Sequence, residues 1–144
     1  MKIPVSWLKD FVDLENITVN RLCEALVSVG FEVEEVIELG REISNVVVGK
    51  IISMEKHPDA DKLKVCRVDV GKEVLQIVTA ATNVKTGDKI PLALNGATLA
   101  GGTVIKNGKL RGVASNGMMC GGEELGICEN QYAGASVDGV LILD

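Results

Sequence analysis

The chain has 144 residues, 47% of them hydrophobic, and a formal net charge of −5 from 15 basic and 20 acidic side chains. That length suits one ordinary domain or a small one with an appendage, and a mean hydropathy of +0.25 excludes a disordered chain. No run of about 18 apolar residues is present to span a membrane, and Lys9 and Asp10 break the opening stretch before it can act as a signal peptide, so the chain reads as cytoplasmic.

In chain order, residues 1–40 read as an α/β appendage. Ser6 is placed to cap a short helix carrying Trp7, Leu8 and Phe11. Thr18 is placed to cap a second, with Leu22, Ala25, Leu26 and Val29 at helical spacing and Gly30 as its stop. Phe31 to Glu34 alternates like the start of a strand. Trp7, Phe11 and Phe31 fall on apolar faces and are expected in a core. Two helices and one strand are too little for an independent core, so this piece needs a partner surface.

Residues 41–128 read as a five-stranded barrel. The β-branched run Val46–Ile52 turns at His57-Pro58-Asp59, and further strand-like runs follow at Lys64–Val70, Val74–Thr79 and Ile90–Leu94. A hairpin is expected between Thr103–Lys106 and Lys109–Arg111 across Asn107-Gly108, since a type I′ turn needs positive φ twice. Short strands with turn chemistry between them indicate a small closed barrel. Leu63 and Val65 lie on one face, Cys66, Val68 and Val70 on the other, which predicts a bulge or strong coil in that strand. Residues 129–144 end in Gly139-Val140-Leu141-Ile142-Leu143, a buried-strand pattern read as a return strand towards the appendage, and the chain as a piece of something longer.

The chemistry-bearing residues are sparse. Cys23, Cys66, Cys120 and Cys128 form no CxxC pair and there is one histidine, so the expectation is reduced, buried thiols and no zinc site. His57 has no serine or cysteine close in sequence to suggest a triad and reads as a turn or surface residue within reach of an RNA. The pairs Gly101-Gly102 and Gly121-Gly122 are not a phosphate-binding loop, and Glu34-Glu35 and Glu123-Glu124 do not face one another. Nothing supports a self-contained active site. Charge is more informative. Residues 1–40 carry three basic and eight acidic side chains, whereas Lys50–Arg111 carries eleven basic and six acidic. The field at a surface follows local distribution, so the acidic total does not exclude RNA. The competing reading is that these lysines only keep a small barrel soluble.

Taken together, His57-Pro58-Asp59-Ala60-Asp61-Lys62-Leu63, Asn83-Val84, Lys109-Leu110-Arg111-Gly112-Val113, Ser115-Asn116-Gly117-Met118-Met119-Cys120 and Glu124-Leu125-Gly126 resemble the EMAP-type tRNA-binding domain, an OB-fold barrel. Val5–Asp13 and Leu26–Glu34 are similar to the opening of the bacterial phenylalanine–tRNA ligase beta subunit family, in which the barrel is inserted into a split α/β domain. The resemblance implies a mainly β fold: an OB-fold five-stranded barrel inserted in a small, incomplete α/β appendage. It implies tRNA as ligand. As partners it implies the alpha subunit and the remainder of the beta subunit of an alpha2beta2 ligase. ATP and magnesium are expected only in the full enzyme, whose aminoacylation and editing sites lie in segments absent here. One departure is Thr79-Ala80-Ala81-Thr82-Asn83, where the family usually reads Cys-Gly-Ala-Pro-Asn.

Between Val46 and Gly126 there is no Phe, Tyr or Trp, so bases cannot be held by aromatic stacking on this barrel. The expected mode is recognition of folded tRNA by shape and phosphate contacts from Lys50, Lys56, Lys62, Lys64, Lys106, Lys109 and Arg111. His57, Asn83 and Ser115 are expected beside them, the last two adding hydrogen bonds. Met118 packs in the core or lies at the rim as an apolar contact. The alternative reading is a structural or subunit-docking module with little RNA affinity of its own.

Overall fold

The computed structural model describes all 144 residues, in two compact units, Met1–Glu38 and Leu39–Asp144. The first unit holds two helices, α1 (Val5–Leu8) and α2 (Val19–Ser28). Pro4 rather than Ser6 precedes α1 and no side chain caps it; Ser6 lies inside the turn. Thr18 caps α2 as expected, its Oγ1 accepting the Arg21 N–H at 3.3 Å. The helix stops at Gly30, where φ of +93° lets the Gly30 and Phe31 amides return to the Val27 and Leu26 carbonyls. Phe31–Glu34 forms no strand, having no neighbour in this unit to share a ladder. Trp7, Phe11 and Phe31 are 67%, 85% and 62% exposed, so the expected aromatic core is not formed within this unit. Two short helices supply no second layer to cover them.

The second unit is built on β1 (Ser44–His57), β2 (Ala60–Asp69), β3 (Val74–Thr79), β4 (Lys89–Thr98), β5 (Gly108–Leu110), β6 (Val113–Ser115) and β7 (Met118–Met119). Five strands make one antiparallel sheet in the order β3-β2-β1-β4-β7, the strand order of an OB-fold, and β5 and β6 form a separate ribbon. β1 is long enough to pair with β4 through its first half and β2 through its second. It bends between them at an extra residue, Ile52, where the β1–β2 register slips. The bulge predicted in β2 where the apolar face switches between Val65 and Cys66 is not there, since pairing with β1 and β3 is unbroken at those residues; a second slip lies nearer the turn, with Asp61–Leu63 unmatched between the pairs His57–Ala60 and Lys56–Lys64.

The ladder does not run on from β7 to β3. That seam is bridged by other bonds: Asn116 donates its N–H to the Gln76 carbonyl, the Gln76 amide donates to the Ala114 carbonyl, and Val78 donates its N–H to the Ser115 hydroxyl, at 2.9, 2.8 and 3.0 Å. The inner faces enclose Ile51, Cys66, Val68, Ile77, Val84, Ile90, Leu92, Met119 and Val140. A smaller cluster of Ala93, Ala97, Leu99 and Cys120 lies beside them, with Met118 half-buried against it.

The hairpin differs from expectation. Asn107-Gly108 is not its turn; the reversal falls at Arg111-Gly112, both at positive φ (50° and 85°), between the paired residues Leu110 and Val113. The type I′ requirement is met, but by an arginine in the left-handed region. Asn107 instead donates its N–H to Asn95 Oδ1 at 3.0 Å, which fixes the approach to β5.

The tail packs on the same barrel. Leu141 N–H reaches the Cys120 carbonyl and Leu143 N–H the Lys89 carbonyl, and Val140 and Leu141 are buried. Gly121 and Gly122 allow this, because a methyl at either would overlap the carbonyl of Gly139 or Ala135. No helix is long and apolar enough to cross a membrane.

Candidate nucleic-acid interface

The site starts from a buried imidazole. His57, 4% exposed, ends β1; its Nδ1 accepts the Asp59 N–H at 3.0 Å and its Nε2 lies 3.0 Å from the Leu110 carbonyl oxygen. A carbonyl only accepts and an amide N–H only donates, so the ring is the neutral tautomer carrying its proton on Nε2. Both nitrogens are used within the chain. His57 is therefore a buried turn residue and not the surface ring that was the other expectation; it joins the β1–β2 turn to the tip of the β5–β6 hairpin.

That joint gathers cations from two distant stretches. Lys56 precedes His57, Lys62 and Lys64 follow it on β2, and Lys109 and Arg111 flank the bonded Leu110. Lys64 is half-buried and the others are exposed. Lys56 and Lys64 are direct cross-strand partners, with Thr79 next in the row on β3. Like charges placed opposite one another are destabilising, and no chain carboxylate makes an ion pair with any of these five. Glu55, Asp59 and Asp61 are near in sequence and moderate the excess positive charge. Lys106 is exposed on the segment leading into β5, which the Asn95–Asn107 bond and a bond from Gly96 N–H to the Ile105 carbonyl hold against β4. Lys50 is not brought to this corner. It sits six residues back along β1, about 20 Å at strand rise, between its cross-strand neighbours Asp69 and Lys89.

Asn83 and Ser115 are spent inside the fold. Asn83 grips the tail, Nδ2 donating to the Val140 carbonyl at 2.7 Å and Oδ1 accepting the Val140 N–H at 3.1 Å. Ser115, 6% exposed, accepts from Val78 N–H and donates to the Gly117 carbonyl, both at 3.0 Å. In the departing Thr79–Asn83 segment, the Thr79 hydroxyl accepts the Ala81 N–H at 3.1 Å and shapes the turn. Sequence reasoning passed over Gln76 and Asn116, whose seam bonds hold the β5–β6 ribbon to β3. Polar residues next to apolar strand positions were the available signal. Arg67 is a further exposed cation, facing away from the buried Cys66 and Val68.

Chemically the corner offers positive charge with no carboxylate ion-paired to it, on a surface without aromatic rings. Of the thiols, Cys66 and Cys120 are buried in the core, and burial pushes the Cys120 thiol up to about 11. Such a surface can hold phosphates and cannot stack bases.

Residues 46–140 match the family model described as Putative tRNA binding domain. The whole chain is 55% identical to a phenylalanine–tRNA ligase beta subunit from Clostridium acetobutylicum, covering 18% of it. It is 53% identical over 99% of its length to that of Clostridium tetani, covering 17%. With that of a Synechococcus species it shares 49% identity over its full length, again covering 17%. The chain thus spans less than a fifth of these relatives. A model matched over most of its length, on a five-stranded sheet of OB order, places the chain in the tRNA-binding domain family.

Proposed function

We propose that this chain is the tRNA-binding module of a phenylalanine–tRNA ligase beta subunit, and that it meets folded tRNA by shape and phosphate contacts at the corner joined by His57. The observation that supports this most is the gathering of Lys56, Lys62, Lys64, Lys109 and Arg111 from two stretches of chain, with no carboxylate ion-paired to any of them. Lys106 extends the same surface along the segment into β5, whereas Lys50 is an outlying contact. In the full enzyme the module supports ATP- and magnesium-dependent attachment of phenylalanine to its tRNA, in the cytoplasm. The alpha subunit and the remainder of the beta subunit complete an alpha2beta2 ligase. The fragment itself is non-catalytic.

The test is tRNA binding by gel shift at salt concentrations from about 50 to 200 mM, where phosphate contacts lose affinity steeply. Lys106→Ala with Arg111→Ala should weaken binding and reduce the slope of log affinity against log salt by about two. An unchanged affinity and slope would contradict the proposal. A second reading, subunit docking, is favoured for residues 1–38 by the exposure of Trp7, Phe11 and Phe31. Co-elution with the alpha subunit that is lost in Trp7→Ala with Phe11→Ala would support it.

A further inference from the structure

β5 pairs only with β6, and β1 and β2 pair with each other and with β4 and β3, so no ladder connects the β5–β6 ribbon to the β1–β2 turn. The base of the ribbon is tied to β3 through Gln76, Ser115 and Asn116. Its tip is held to the β1–β2 turn by the His57 Nε2–H bond to the Leu110 carbonyl. The chain reverses immediately after that carbonyl, at Arg111-Gly112. Lys109 and Arg111 therefore take their positions from a bond made by the residue between them, and Lys56 is covalently next to the donor.

We infer that His57 is a positioning residue for tRNA recognition, fixing the spacing between the β1–β2 cations and the hairpin cations so that one tRNA backbone meets both. The inference rests on the tRNA-binding reading. Phosphates recur along a strand at fixed intervals. Cations on two independently moving turns must be ordered on binding, whereas a fixed pair has already given up that freedom. The ring suits this role because it does two separate things. Nδ1 closes the local turn by accepting from Asp59, two residues on, as an Asx side chain does; Nε2 reaches the other element. Asn at this position reproduces the near nitrogen's place, and Gln the far one's.

Those two halves separate the local role from the positioning role. In the full chain, His57→Gln should keep tRNA affinity within about twofold of the parent, because the donor to Leu110 survives. His57→Asn should bind about tenfold more weakly at about 0.1 M salt and with a salt slope lower by one to two, as expected when the contacts of Lys109 and Arg111 are no longer made together. A double-mutant cycle excludes simple loss of folding. In a chain already carrying Lys109→Ala and Arg111→Ala, His57→Asn should change affinity by less than about twofold. Amide hydrogen exchange at Leu110–Val113 should rise in the Asn variant and not in the Gln variant. Equal affinities for the Asn and Gln variants, or an Asn effect that persists in the background lacking Lys109 and Arg111, would overturn the positioning role while leaving tRNA binding in place. A parent chain without salt-sensitive tRNA binding would remove both.

Discussion

Ser115 stands in for a ladder hydrogen bond at the seam, accepting from the Val78 amide and donating to the Gly117 carbonyl. Replacing it by Ala leaves the buried Val78 N–H and the half-buried Gly117 carbonyl without this partner, at about 1–3 kcal/mol. Ser115→Ala should therefore lower the unfolding midpoint and leave the salt slope of tRNA binding unchanged; a changed slope would restore Ser115 as a contact. The cysteines divide by burial. Cys66 and Cys120 are buried, Cys23 is half-buried and Cys128 is exposed, so the expectation of buried thiols holds at Cys66 and Cys120, is met only in part at Cys23 and fails at Cys128. A maleimide should label Cys128 first at neutral pH and reach Cys66 and Cys120 only on unfolding. The raised Cys120 pKa makes its contribution to stability complete below the ordinary thiol value of 9.0 and lost as pH rises towards about 11. Glu129 runs the other way. Its carboxylate accepts the Gly134 and Ser136 amides at 2.8 and 2.9 Å, and these bonds hold its pKa below the usual 4.5. That contribution is present above pH 4.5 and lost as pH falls through the lowered value, so exchange at 129–136 should rise in acid. These roles were not legible in the sequence, where Ser115 reads as a binding hydroxyl and His57 as a turn or surface residue. A side chain bonded to a carbonyl 53 residues away leaves no local pattern.

The longer elements were legible because they carry period and punctuation. β3 falls on Val74–Thr79 as expected, and β1, β2 and β4 contain their predicted runs except that β2 ends one residue short of Val70. The hairpin was legible in kind and misplaced in position, since three-residue strands show no period and Arg111 at positive φ is an uncommon choice. The glycine pairs read in the sequence only as not a phosphate-binding loop, and their packing role needed coordinates. Gly122 has the Ala135 backbone where its side chain would be. Gly122→Ala should cost about 1–3 kcal/mol through overpacking and loosen the Val140–Leu143 tail. A denaturation midpoint equal to the parent's would show that the tail is not held this way.

For the molecule as a whole, charge distribution decides more than net charge. Residues 39–144 carry twelve basic and twelve acidic side chains, so binding to a polyanion depends on where the cations gather. The five at the joined turns come from two separate runs, Lys56–Lys64 and Lys109–Arg111, which the fold brings together. The sequence alone therefore grouped Lys50 with them on composition, and only the register separates it. The barrel is aromatic-free, while the first unit exposes Trp7, Phe11 and Phe31, and the proposed function divides the chain accordingly, with phosphates meeting the barrel and not the first unit. The most direct test of this division is an NMR titration of the isotope-labelled full chain with folded tRNA at low salt. The account predicts that amide shifts concentrate at residues 56–64 and 106–111, fade as salt is raised, and spare residues 5–31. Shifts centred on residues 5–31, or spread evenly over the barrel and insensitive to salt, would contradict it.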